Sequence, residues 1–237
     1  MGTLLIVSTP IGNLQDISLR AARTLLTSSV IACEDTRRTG ILLKEISKLF
    51  SGFHEEIKPK LISYYDQVEI QKIPEIVEIL NTGTDVVLVS DAGTPGISDP
   101  GFKLIRECIK KEIKVEAIPG PSSVITSLVV SGLPTDKFFF LGYPPKKEGH
   151  RNEFWKNIVN VNSEIKTTFI LFEAPHRIIG TIDEMINIFG EEFEVVFARE
   201  LTKIYEEVLR FSLRKAKDHF SKIPPKGEFV ILFNMQK

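Results

Sequence analysis

Short apolar runs rich in β-branched residues alternate with helical periodicities through the first half of the chain. Leu4 to Ser8, Val30 to Cys33, Lys60 to Tyr64, Asp85 to Ser90 and Lys114 to Ala117 read as five strands. Between the first two, Leu19, Ala22, Leu25 and Leu26 recur at helical spacing behind the candidate caps Asp16 and Ser18. Ile73, Ile76, Val77 and Leu80 form a second stripe that Gly83 closes in a C′ position, and a third helix is expected from Gly101 to Lys111. This alternation predicts an α/β layer with a mostly parallel sheet and helices on its faces.

After Ala117 the pattern changes. IPGPSS punctuates the chain, and an apolar helix is expected from Ser122 to Ser131, stopped by Gly132 and Pro134. A linker at 118–121 divides an N-terminal domain, 1–117, from a C-terminal domain, 118–237. In the second, FFFLGY at 138–143, TTFILF at 167–172, EVVFAR at 194–199, EEVLRF at 206–211 and EFVILF at 228–233 read as strands. Helical patterns over 151–160 and 175–189 would cover them. The expected fold class is therefore two-domain α/β, with a mostly parallel first sheet and a mixed second one.

Length agrees: 237 residues at about 150 per domain make one large domain or two compact ones. Lys and Arg number 30 against 31 Asp and Glu, which excludes binding of nucleic acid by bulk charge and leaves only a local patch. No run approaches the roughly 20 apolar residues of a membrane span, and the N-terminus enters a strand without a basic leader, so a cytoplasmic protein is expected. Cys33 and Cys108 stand alone in apolar surroundings and read as buried free thiols rather than a metal cluster or a disulfide framework. No metal site is expected.

Motif searches first remove classes. There is no G-x-x-x-x-G-K-[ST], no G-x-G-x-x-G after a strand and no G-x-S-x-G, and His54-Glu55-Glu56 lacks the second histidine of H-E-x-x-H. The strongest positive signal is VVLVSDAGTPGISDPG at 86–101. There a buried strand delivers Asp91 at its carboxyl end, and glycines and prolines then force tight turns with exposed amides, the edge at which open α/β sheets bind ligands. STPIGN at 8–13 ends the first strand in a similar way, with Asn13 and Asp16 as candidate caps, and CEDTRRTG gathers Glu34, Asp35, Arg37 and Arg38 at the end of the second. Three strand ends on one edge would share a crevice. In the second half, FEAPHR places Glu173, His176 and Arg177 beside a proline-started helix, and ARELTK repeats the arrangement with Arg199, Glu200 and Lys203. Caps and surface ion pairs account for each of these equally well, and Lys146, Lys147, His150 and Arg151 read as solvated loop charge.

Taken in order, STPIGNLQDIS, EDTRRTG, SDAGTPGISDPG, IPGPSS, FEAPHR and ARELTK resemble the ribosomal RNA small subunit methyltransferase I family of the tetrapyrrole methylase superfamily, from Leu4 to Phe233. The chain departs from the family after LISY, where Tyr65, Asp66 and Gln67 stand in place of a common His and Glu. The resemblance implies a two-domain homodimer that uses S-adenosylmethionine to methylate the ribose 2′-hydroxyl of a cytidine in the decoding region of 16S ribosomal RNA. A small-molecule methyltransferase of the tetrapyrrole type and a non-catalytic ribosome-binding module are the competing readings. Under the resemblance, the cofactor is expected between the domains, against Pro10, Asp91, Ala92, Gly93 and Ile97 on one side and Ser122, Ser123, Phe172 and Leu201 on the other. Asp16, Glu34, Glu173 and Lys203 are the candidates for the base. Arg20, Arg37, Arg177 and Arg199 are the candidates for holding RNA phosphates.

Overall fold

The computed structural model describes residues 1–50 and 58–235. The fragment His54-Glu55-Glu56 lies outside them. The chain forms two compact units, Met1–Ser122 and Ser123–Lys237.

The first unit runs β1 (Leu4–Val7), α1 (Leu19–Thr27), β2 (Val30–Cys33), α2 (Thr36–Leu49), β3 (Lys60–Ser63), α3 (Glu69–Asn81), β4 (Val86–Val89), α4 (Phe102–Lys110) and β5 (Val115–Ile118). The strands lie in the order β3-β2-β4-β1-β5, and every pairing among the described strands is parallel. Alternation across the pleat explains why β4 reads as four uninterrupted apolar residues. Val86 and Leu88, with Leu4, Ile6, Val30 and Ala32, pack towards α3 and α4, whereas Val87 and Val89, with Val7, Ile31 and Cys33, pack towards α1 and α2. Both cysteines are buried free thiols.

Local chemistry sets the ends of the helices. Ser18 caps α1 by accepting from the Ala21 N–H at 3.1 Å, and Asn13 accepts from the Gln15 N–H at 3.0 Å to cap a short 3-10 turn, Leu14–Asp16. Asp16 is thus the last residue of that turn and caps nothing, contrary to the sequence expectation. The helix α2 is a second departure. Asp35 accepts from the Arg37 and Arg38 N–H groups at 2.8 and 3.4 Å, so the charged run TRRTG becomes a first helical turn rather than a loop.

The second unit runs α5 (Ser123–Ser131), β6 (Phe138–Phe140), α6 (Glu148–Glu164), β7 (Thr168–Glu173), α7 (Ile178–Phe189), β8 (Glu194–Arg199), β9 (Glu207–Ser212), α8 (Leu213–Lys222) and β10 (Phe229–Asn234). Its sheet has the order β6-β7-β10-β8-β9, with β6 parallel to β7 and the other pairs antiparallel, the mixed sheet that the sequence predicts. One face carries Phe169, Leu171, Phe197, Ile231 and Phe233 against Trp155, Ile182, Met185, Leu213 and Phe220 of α6, α7 and α8. The short helix α8 escapes a reading of the sequence because only Leu213, Ala216 and Phe220 of its ten residues are buried. Pro175–Arg177 form a 3-10 turn, and α7 starts only at Ile178.

Candidate active site

Parallel pairing brings the carboxyl ends of β1 to β5 to one edge. Strands β1 and β2 lead into helices packed on one face, and β4 leads into a helix on the other, so the edge around β4 is where the connections part. The loops after β1 and β4 are tied there. Thr9 N donates to Gly93 O at 2.8 Å and Gly93 N to Thr9 O at 3.1 Å, while the Ser8 and Thr94 hydroxyls lie 2.9 Å apart. Thr94 Oγ1 also donates to Pro121 O at 3.4 Å, which draws the segment after β5 into the same edge. Two glycines make this closeness feasible. Gly93 has φ +82°, and a Cβ on Gly120 would lie 2.9 Å from Ser8 Cβ.

The electrostatics of this edge are dominated by carboxylates. Asp91 follows β4; its Oδ1 accepts from Asp35 N at 3.2 Å and its Oδ2 lies 3.1 Å from Arg38 Nη1. Its carboxyl is nevertheless pushed above the usual aspartate value by burial, with Arg38 pulling the other way. Glu34 follows β2, and its carboxyl is pushed up first by burial and then by the negative charge of Asp91. Two carboxylates at the ends of adjacent strands thus resist ionisation and are suited to exchange protons or to receive a cationic ligand. Arg38, which is not among the residues expected to hold phosphates, is the cation paired with Asp91. Its position follows from the cap at Asp35, which starts α2 and sets Arg38 in the first turn.

The remaining sequence-predicted residues of the first unit fall as follows. Pro10 and Ser122 are partly buried and Ala92 is exposed, as is Ile97 at 48%. Asp16 is exposed, and Arg20 and Arg37 are exposed in the first turns of α1 and α2.

In the second unit, Glu173 closes β7 and is 1% exposed. Its Oε2 accepts from the Thr181 hydroxyl at 2.6 Å, and its Oε1 accepts from Ala174 N at 2.9 Å and lies 3.3 Å from Arg177 Nε. Arg177 Nη2 donates to Pro144 O at 2.7 Å. Arg199 Nε donates to Glu207 Oε2 at 2.6 Å across the β8–β9 ladder, and Lys203 Nζ to Glu200 Oε1 at 3.0 Å. Both arginines therefore hold protein partners where the sequence suggested phosphate forks, and Glu173 anchors Arg177 rather than facing solvent as a base. Phe172 is partly buried beside Phe140 and Tyr143, Ser123 opens α5, and Leu201 is buried. Arg151 corrects a further expectation. It lies in α6, not in a solvated loop, and its Nε and Nη2 grip Glu184 at 2.7 and 2.6 Å.

The first edge thus combines a tight glycine turn of positive φ with two carboxylates raised by burial, an arrangement chemically able to receive a cationic ligand. Known proteins extend this. A family model described as tetrapyrrole (corrin/porphyrin) methylases matches residues 3–217. Ribosomal RNA small subunit methyltransferase I of Hydrogenobaculum sp. (strain Y04AAS1) is 44% identical over 235 residues, covering 98% of this chain and 96% of the relative. The protein of the same description from Thermotoga maritima is 39% identical over 234 residues and 99% of both chains. Among solved structures, a diphthine synthase superposes with a TM-score of 0.70 at 16% identity, over 98% of this chain and 90% of that one. Uroporphyrin-III C-methyltransferase from Thermus thermophilus, complexed with S-adenyl homocysteine, gives 0.64 at 15% identity, over 98% and 97%. Such identities show a shared fold. A parallel sheet with a glycine-rich carboxyl edge, a mixed second sheet and a match over residues 3–217 make this chain a member of the tetrapyrrole (corrin/porphyrin) methylase family, with ribosomal RNA small subunit methyltransferases I among its full-length relatives.

Proposed function

We propose that this protein transfers the methyl group of S-adenosylmethionine to the ribose 2′-hydroxyl of a cytidine in the decoding region of 16S ribosomal RNA. The observation that carries this reading is the match, from end to end, to relatives of that description at 39 to 44% identity. The structure supplies the chemistry to go with it. When bound, the cofactor contributes a methyl carbon on a positively charged sulfur; what the protein must do is align that carbon with the hydroxyl and exclude water.

Pro10, Asp91, Ala92, Gly93, Ile97 and Ser122 are the proposed cofactor contacts of the first unit, with Ser123, Phe172 and Leu201 of the second. Asp91 balances the cationic end. Glu34 is the proposed base, ahead of Asp16, Glu173 and Lys203. Its carboxyl stays partly open to solvent and is raised by burial and by Asp91, towards the range in which a carboxylate is an effective proton acceptor. Glu173 is sealed by Thr181 and Arg177, and Lys203 is bound to Glu200. Arg20 and Arg37, exposed, are the proposed phosphate contacts, whereas Arg177 and Arg199 are engaged by partners within the second unit. A homodimer in the cytoplasm completes the reading. Ile204 and Tyr205, 94% and 73% exposed between β8 and β9, are a surface suited to cover by a second copy.

The test is methyl transfer from labelled cofactor to isolated small subunits, to naked ribosomal RNA and to tetrapyrroles, followed by nucleoside mapping. Label in a 2′-O-methylcytidine of the small subunit is the expected result. Label in a tetrapyrrole, or cofactor binding with no transfer to any acceptor, would replace the reading with one of its competitors.

A further inference from the structure

The connection from β6 to α6, residues Gly142 to Lys147, is held far more firmly than an exposed loop requires. Phe172 N donates to Gly142 O at 3.0 Å, and Pro144 is buried. Two arginines then clamp the prolines. Arg177 Nη2 donates to the carbonyls of Pro144 and Pro145 at 2.7 and 3.3 Å, and Arg151 Nη1 donates to Pro145 O at 3.2 Å. Each arginine is fixed in turn by a carboxylate, Arg177 by buried Glu173 and Arg151 by Glu184, which also accepts from Trp155 Nε1 at 2.8 Å. Connecting segments are ordinarily the mobile parts of a fold. This one is locked to the core by an ionic lattice, and what it presents is an aromatic ring. Tyr143, 50% exposed, stands edge-on to Phe172 with centroids 5.6 Å apart, and exposed Lys146 and Lys147 follow it.

We propose that Tyr143 is a stacking platform for an unpaired base of the RNA substrate, with Lys146 and Lys147 meeting the phosphates beside it. The proposal rests on the function proposed above. A protein of net charge −1 has no bulk attraction for RNA, so a local combination of ring and cations carries weight. Stacking on a flat ring is tolerant of sequence and strong in single strands, and fixing the ring beforehand removes the ordering cost of binding. Arg151 and Arg177 are positioning residues for this surface.

The experiment compares wild-type protein with Tyr143→Phe, Tyr143→Leu and the double variant Lys146→Ala/Lys147→Ala. It measures KM and kcat for methylation of small subunits and, by calorimetry, affinity for S-adenosylhomocysteine. Tyr143→Leu keeps an apolar contact with Phe172 but has no π face; its KM should rise roughly 5- to 150-fold, the range for loss of one stacked base. Tyr143→Phe should remain within about twofold. The lysine variant should lower the slope of log KM against log salt by about 1.4, or 0.7 per phosphate on a single strand. Cofactor affinity should not change. An unchanged KM for Tyr143→Leu, an equal loss for Tyr143→Phe, or a parallel fall in cofactor affinity would each overturn the proposal. If Tyr143→Leu does not fold, Tyr143→Trp decides: a KM at or below wild type supports stacking and a raised one refutes it. Failure of wild-type protein to methylate RNA at all would instead remove the function on which the proposal stands.

Discussion

The two sheets end in carboxylates of opposite character. At the edge of the parallel sheet, burial raises both Glu34 and Asp91, and the charge of Asp91 raises Glu34 further, with the exposed Arg38 as their cation. At the end of β7, Glu173 is sealed from solvent and its oxygens are shared among Thr181, Ala174 and Arg177. The same residue type at the end of a buried strand is therefore the proposed base in one unit and a structural bracket in the other. The difference lies in the number of donors that the fold supplies to each carboxylate. Substitution should separate the two cleanly.

The largest effect is expected at Glu34. Glu34→Gln should lower kcat by roughly 10² to 10⁴, the usual contribution of a general base, with cofactor affinity retained. Single-turnover methylation and calorimetry on the same preparation check this. Stability should not suffer. Glu34 and Asp91 ionise less readily in the folded chain than at their ordinary values of 4.5 and 3.8, so their ionisation detracts from stability as pH rises past those values, and Gln at 34 removes that loss. A melting temperature at neutral pH clearly below wild type would contradict this assignment.

The second unit should respond in the opposite sense. Arg151→Ala leaves half-buried Glu184 without its bidentate partner and removes a clamp on Pro145, and loss of charge-assisted hydrogen bonding of this kind costs about 1.5 to 3 kcal/mol. Urea denaturation should show the loss. An equally stable variant would mean that the lattice around Glu184 is ornamental.

A smaller effect sharpens the contrast within the first edge. Asp91→Asn removes the like charge that helps to raise Glu34, so the acid limb of the pH profile of kcat should move to lower pH, even as cofactor binding weakens. If the limb stays in place, a group other than Glu34 sets it. The smallest is Ser18→Ala, which should cost about 1 kcal/mol through loss of the α1 cap and leave the chemistry alone.

The sequence reading succeeds where one periodicity dominates. The runs VIAC and VVLV are strands because each is apolar on both faces and bounded by polar residues, and the EVVFAR strand falls on the residues expected. It fails where polar chemistry, not apolar spacing, decides. Helix α2 begins at the Asp35 cap in the midst of a charged run, and α8 exposes most of its residues. The candidate site follows the same division. The tight turn at Asp91 and Gly93 is legible because glycine and proline follow a buried strand. The fates of Arg151 and Arg177 are not, since a charge in sequence gives no sign of the acceptors that await it 33 residues away.

The strand order of the first sheet also bears on how the protein is made. Strand β1 lies between β4 and β5, so LLIV gains its neighbours only when the later residues 86–89 and 115–118 have left the ribosome. Until then an apolar segment with two bare edges must travel unpaired, whereas β8 and β9 meet across a short connection almost as soon as they appear. The first unit is accordingly expected to close late and in one step, with the interval between synthesis of β1 and of β5 as its aggregation-prone stage.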